Sequence, residues 1–213
     1  TATVIKDGFS KQPDLVGRWD KGFEWGNVSL RGVTQQLKVV NNDFNVSKRG
    51  YGLGATTLCK LRGGQDSLSL AVTWGNGAGR YFNYIEGAFL DKDNRKIVTE
   101  RSVGLVAGYQ FKQSDTLRYN LVGGWQRSMT NDFTKFAQAN GLDTGSLTGT
   151  LGQAGFQQFA INRSLYQIHA GLIYNPVKNV DLGAEYIFGR RTTLANEKGD
   201  LSRVNLMARY TFN

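Results

Sequence analysis

Cysteine occurs once in this chain, at Cys59, and histidine once, at His169. One cysteine cannot build a disulfide framework or a thiolate zinc site, and one imidazole excludes every centre that needs two. No metal and no cofactor is expected. Proline is scarce, with two residues, so little interrupts extended backbone. No run approaches the roughly 18–20 consecutive apolar residues of a membrane-crossing helix. No charged segment followed by an apolar one opens the chain at Thr1, so no secretory leader is read there. These absences exclude a helical membrane protein. They leave a membrane barrel open, because its strands are apolar on one face only.

What is abundant is glycine, with 27 residues, and aromatics, with nine Tyr, twelve Phe and four Trp. Lys and Arg number 26 against 17 Asp and Glu, a net charge of +9 over 213 residues. Apolar residues and glycine together make up about half the chain, a share that excludes disorder, and the length fits one domain or part of a larger one.

The dominant pattern is strict alternation, the period-two signature of strands with one apolar face. Leu68, Leu70, Val72 and Trp74 alternate with Ser67, Ser69 and Thr73. Val103, Leu105, Ala107, Tyr109 and Phe111 alternate with Ser102, Gly104, Gly108, Gln110 and Lys112. The same holds around Tyr51, Leu117, Tyr166, Val180 and Val204, with two less regular segments earlier. The spacing predicts nine strands, over about 14–20, 26–37, 51–62, 67–75, 101–112, 116–127, 161–174, 180–191 and 201–212. Most are near the ~9–11 residues that cross a bilayer at a tilt.

The connections alternate too. Short turns fall at 21–24, 63–66, 113–115 and 175–179, whereas longer segments fall at about 38–50, 76–100, 128–160 and 192–200. One end of the sheet thus carries tight turns and the other long loops, as in outer-membrane barrels. A soluble sandwich has no reason to sort loops by parity. Aromatics such as Trp19, Trp74, Tyr109, Trp125, Tyr186 and Tyr210 lie on the apolar face, mostly near strand ends, as interfacial girdles require. The fold class is therefore an all-β antiparallel transmembrane barrel.

Nine strands ending at a periplasmic C-terminus place Asp14 at the extracellular end. An even-stranded barrel would then need an odd number of further strands, and an open sheet in lipid would expose two unpaired edges. Residues 1–213 are expected to be the C-terminal portion of one barrel domain whose remaining strands lie outside this chain.

With the polar face as lumen, its charges are Arg18, Arg31, Lys60, Arg62, Lys112, Arg118, Arg163, Arg191, Arg203 and Arg209 against Asp14, Asp20, Asp181 and Glu185. A pore lined by Arg repels cations, and the planar guanidinium pairs with both oxygens of a carboxylate. The competing reading is that these residues pair with acids on strands outside the chain. Nucleic-acid binding is not expected, because basic and aromatic residues lie on opposite faces. Lipopolysaccharide phosphates are the other expected anionic contact, near Lys48 and Arg49. The segment opening Gly75-Asn76-Gly77-Ala78-Gly79-Arg80 is the expected constriction loop, with Arg80 at its tip. No helix pattern follows, so the glycines do not read as a dinucleotide cradle. Phe133, Phe136 and Ala137 have near-helical spacing within the 128–160 loop. No enzyme is expected. The alternative of a barrel hydrolase or a filled structural barrel rests on His169, placed on the polar face beside Gln167.

Several stretches resemble DcaP-like outer-membrane porins: PDLVGRWDKGFEWGNVSLRGVTQQLK, SLSLAVTWGNGAGRYF, and VDLGAEYIFGRR with LSRVNLMARYTF. The resemblance runs from about Pro13 to Phe212 and corresponds to the C-terminal part of such a porin. It implies a sixteen-stranded homotrimer in the outer membrane of Gram-negative bacteria, passing small anionic solutes such as dicarboxylates. Seven strands would then precede Thr1. Two departures accompany it: the family's N-terminal part is absent, and Asn213 follows Phe212 where the family ends on an aromatic.

Overall fold

A computed structural model describes residues 11–40, 45–82, 85, 87–91, 94–132, 135, 162–194 and 196–212. The chain forms β1 (Leu15–Phe23), β2 (Gly26–Val40), β3 (Asn45–Leu61), β4 (Asp66–Asn76), β5 (Ala88–Asp91), β6 (Lys96–Thr99), β7 (Arg101–Lys112), β8 (Leu117–Met129), β9 (Asn162–Tyr174), β10 (Val180–Thr193) and β11 (Lys198–Tyr210). Nine of them make one sheet in the order β1-β2-β3-β4-β7-β8-β9-β10-β11, every pair antiparallel. β5 and β6 form a separate hairpin within the segment between β4 and β7. This is the all-β architecture that the alternation implied. The sheet is unclosed, with one edge of β1 and one of β11 unpaired.

Register assigns the faces. Trp19 lies opposite Leu30, Leu30 opposite Ala55, Ala55 opposite Val72, Val72 opposite Leu105, and Leu105 opposite Trp125. Cross-strand partners share a face, so this row is continuous across six strands. Apart from half-buried Ala55 it is also exposed, as are Leu53, Leu70, Leu121, Tyr186, Leu206 and Tyr210. In a water-soluble protein such a face would be a core. Here Leu206 is 81 % accessible, and a contiguous apolar face of nine strands is far larger than the few hundred Å² a soluble monomer exposes. Cys59 shares this parity. Aromatic pairs bracket the face: Phe23 stacks on Trp25 at 5.1 Å and Tyr210 meets Phe212 edge-on at 4.8 Å at the short-turn end, while Tyr51 and Trp74 lie 5.8 Å apart at the other.

Three short turns stand where the spacing put them; the first is displaced from 21–24, because β1 runs on through Phe23 and leaves Glu24 and Trp25 as the turn. Three of the four long segments differ. β2 and β3 extend to Val40 and Asn45, and β10 and β11 to Thr193 and Lys198, so most of 38–50 and 192–200 is hairpin rather than loop. A ladder that continues into water needs no apolar face, and alternation therefore understates its length. The 76–100 segment likewise holds the hairpin β5–β6, which alternation did not reveal. Phe133, Phe136 and Ala137 lie outside the described residues.

Candidate permeation surface and its inward-folded loop

The opposite face begins with glycine. Gly52 of β3 is paired with Gly75 of β4, which is paired with Ser102 of β7, and Gly104 lies two positions along β7. A Cβ on Gly75 would stand 2.7 Å from the Ala78 Cβ and 3.3 Å from Phe82 Cε2. One on Gly52 would stand 3.6 Å from the Ala78 Cβ, and one on Gly104 3.5 Å from Phe82 Cε1. These bare positions form a floor on which the segment after β4 lies directly. The chain enters it through Gly77, whose φ of +68° is left-handed and whose added Cβ would meet Thr99 at 2.8 Å. Gln35 Nε2 donates to the Gly77 carbonyl at 2.5 Å, and the Gly77 amide donates to the Glu100 carbonyl at 2.9 Å.

Ala78, Phe82 and Ile85 are buried together, with Leu165 of β9 packed against them. The hairpin β5–β6 buries Ala88, Leu90 and Ile97 against Leu37, Val39 and Val46 of the β2–β3 extension. Asp91 caps the hairpin turn, accepting from the Asn94 amide at 3.1 Å and side chain at 2.9 Å, with Lys96 at 3.6 Å. Burial is the largest single influence on Asp91 and pushes its carboxyl up; together the Asn94 bonds and Lys96 outweigh it, leaving the group below the ordinary carboxylate range. At the base, buried Glu100 accepts from Ser128 Oγ at 2.6 Å and from the Asn131 amide at 3.3 Å. The segment therefore spans the polar face from β2 to β9.

Arg80 projects from this segment toward β1. Its Nη1 donates to Asp14 Oδ2 at 3.0 Å, and the Tyr81 hydroxyl donates to the same oxygen at 2.6 Å. Burial first, then the bond to Asp14, raises the Tyr81 hydroxyl above its ordinary value. Arg80 is thus half-neutralised rather than free at the tip of a turn.

The other sequence-selected arginines share the polar face but not one cluster. Arg18 lies directly opposite Arg31. That like-charge contact is relieved by Asp20, 2.7 Å from Arg18 Nε. Arg209 is ion-paired with Asp181. Glu185 accepts from His169 Nδ1 at 3.2 Å and from Asn205 Nδ2 at 3.1 Å. No hydroxyl joins the His169–Glu185 pair among the described residues, and no group of three potential metal ligands occurs among them. Arg31 bonds Thr56 Oγ1 at 3.3 Å. Arg118, Arg163, Arg191 and Arg203 form no ion pair among the described residues, and the Nε atoms of Arg118 and Arg163 are buried without a partner. Lys60 sits toward the short-turn end of β3; Arg62 lies in the turn, 2.7 Å from Asp66. Lys112 pairs with Asp115 at 2.7 Å. Lys48 points inward, its Nζ donating to the Ile97 carbonyl at 3.2 Å, whereas Arg49 lies on the outward face and donates to Gln12.

Three arginines escaped the reading of the strands: Arg101, Arg127 and Arg190, all with outward parity near the long-loop end. Their signal was present as a break in the apolar alternation beyond Val103, Trp125 and Phe188.

Comparison with known proteins agrees with this geometry. The family model described as DcaP outer membrane protein matches residues 4–212. The crystal structure of the outer membrane channel DcaP of Acinetobacter baumannii matches with a TM-score of 0.77 at 24% sequence identity, over 99% of this chain and 55% of that one. The chain thus spans about half the length of the solved structure it matches. No curated protein matches it.

Proposed function

The chain belongs to the family of DcaP outer membrane proteins, and from that premise we propose that it forms part of a passive, anion-preferring porin. Its place is the outer membrane of a Gram-negative bacterium. Small anionic solutes such as dicarboxylates pass along the polar face, beside the inward-folded segment that occupies its glycine floor. Strands outside residues 1–213 close the barrel against the free edges of β1 and β11, and three such barrels associate.

One observation carries the charge argument. Among the described residues every acid of the strands' polar face already has a partner: Asp20 has Arg18, Asp181 has Arg209, and Glu185 has His169 and Asn205. Lys60, Arg118, Arg163 and Arg191 have no such acid. The residual field is positive, and a narrow low-dielectric passage amplifies it. Fork-shaped guanidinium donors suit carboxylates in particular. The mechanism is selection without chemistry: anions are concentrated at the mouths, and the segment carrying Arg80 sets the width.

The test is the reversal potential of the intact protein in planar bilayers across a KCl gradient. Anion preference is expected, reduced in the R118Q/R191Q variant. Cation preference overturns the proposal. The alternative of a barrel enzyme or filled structural barrel using His169 predicts that H169N alters activity or closes a leak; unchanged conductance removes its support.

A further inference from the structure

The outward face carries a second pattern that permeation does not use. Its long-loop-side aromatics form a slanted line across the sheet, through Tyr51 of β3, Trp74 of β4, Trp125 of β8 and Tyr166 of β9. Tyr51 stands opposite Asn76, one outward position beyond Trp74, and Trp74 opposite Val103, one outward position beyond Leu105, the partner of Trp125. The line steps along the strands as tilted strands require if it lies at one depth in a bilayer. Immediately on its loop side the outward positions become basic: Arg49, Arg101, Arg127 and, beyond Phe188, Arg190. Arg190 is neutralised by a forked bond to Asp200 at 2.6 and 2.9 Å, and Arg49 is engaged by Gln12.

Arg101 and Arg127 are not. Both are exposed, and neither forms an ion pair among the described residues. Arg101 lies opposite Met129 and Arg127 opposite Val103, which makes them diagonal neighbours on adjacent strands, about 7–8 Å apart. Below them is uninterrupted apolar surface, including Val72, Leu105 and Leu121. Two uncompensated guanidinium groups facing away from the pore, directly above aromatic and aliphatic side chains, match a molecule that is anionic at one level and hydrocarbon beneath it.

We infer that Arg101 and Arg127 bind the phosphate groups of lipopolysaccharide, the phosphorylated acyl glycolipid of the outer leaflet, while its acyl chains lie on Leu105 and Leu121. Phosphate accepts forked hydrogen bonds from arginine. A cationic side chain with outward parity is tolerated only near the interface, where the head-group layer lies.

The experiment uses the intact protein, delipidated in detergent, and binding isotherms of labelled lipopolysaccharide to wild type and to the R101Q/R127Q variant. The substitutions fall at exposed positions, and an unchanged conductance shows that the barrel is intact. Affinity is expected to fall by about tenfold or more, since charge-assisted contacts to phosphate are lost. Each single variant, R101Q or R127Q, accounts for part of the loss. Dephosphorylated lipopolysaccharide should bind wild type as weakly as the intact lipid binds the variant. Unchanged affinity in the double variant, or equal binding of the dephosphorylated lipid or of phosphatidylglycerol micelles, overturns the assignment. Loss of anion preference in the pore leaves it untouched, so the two readings fail separately.

Discussion

Replacing Gly75 by valine tests whether the inward segment is held by the bareness of the floor beneath it. The added Cβ would stand 2.7 Å from the Ala78 Cβ, 3.3 Å from Phe82 Cε2 and 3.3 Å from the Tyr51 carbonyl oxygen. Carbon contacts are optimal at about 3.5–4.0 Å, so the segment must retreat by about 1 Å even before the γ-methyl groups are considered. Overpacking of this kind costs about 1–3 kcal/mol. Opposing it is the burial of Phe82 and Ile85, about 1.5–3 kcal/mol for each side chain. The substitution therefore offsets about one of the two anchors. At 1.4 kcal/mol per factor of ten, the ratio of seated to lifted segment falls by roughly 5- to 150-fold. β4 itself survives, because valine suits a strand better than glycine. Two measurements on the intact protein follow: tryptic cleavage after Arg80 accelerates, and single-channel records show higher conductance and more flicker. If both match wild type, contact with the glycine floor does not hold the segment, and the argument is wrong.

D14N removes the oxygen that accepts from Arg80 and Tyr81. The freed guanidinium should move the reversal potential further toward anions; a move toward cations refutes the role given to Arg80. The same strap depends on pH through Tyr81. Its neutral form is favoured, so the stabilisation is full below the ordinary phenol value of 10.0 and is lost as pH rises through the raised value. Cleavage after Arg80 at strongly alkaline pH reads this loss. Asp91 behaves oppositely: its carboxyl is depressed, so the hairpin β5–β6 is fully stabilised above the ordinary carboxylate range and weakens as pH falls through the lower value. Faster amide exchange of Phe89–Val98 below about pH 4 is expected, and D91N should abolish that pH dependence.

Much of this architecture was written locally in the chain. Alternation is a nearest-neighbour property, so Leu68–Leu70–Val72–Trp74 declares a strand and its oily face without knowing any partner. Turn-forming stretches such as Arg62–Gly64 and Asn175–Asn179 declare the short ends. Which strands build the nine-stranded sheet, which side chains share a face, and which end bears the long connections follow from these alone; the hairpin β5–β6 does not. The extensions of β2–β3 and β10–β11 were not legible, since a ladder in water makes no demand on side-chain polarity.

The rest required strands to be brought together. Whether an arginine on the polar face is free depends on an acid that is distant in sequence: Asp181 neutralises Arg209 from 28 residues away, and Asp14 restrains Arg80 from 66. Gly52, Gly75 and Gly104 are unremarkable singly and become a seat only when register places them side by side beneath Ala78 and Phe82. Arg101 and Arg127 likewise acquire meaning only from their height relative to Trp74 and Trp125, which strand tilt sets. Side-chain parity is decided along one strand, residue by residue. Charge balance, seating and depth are decided between strands, because Coulomb and contact forces act through space rather than along the chain.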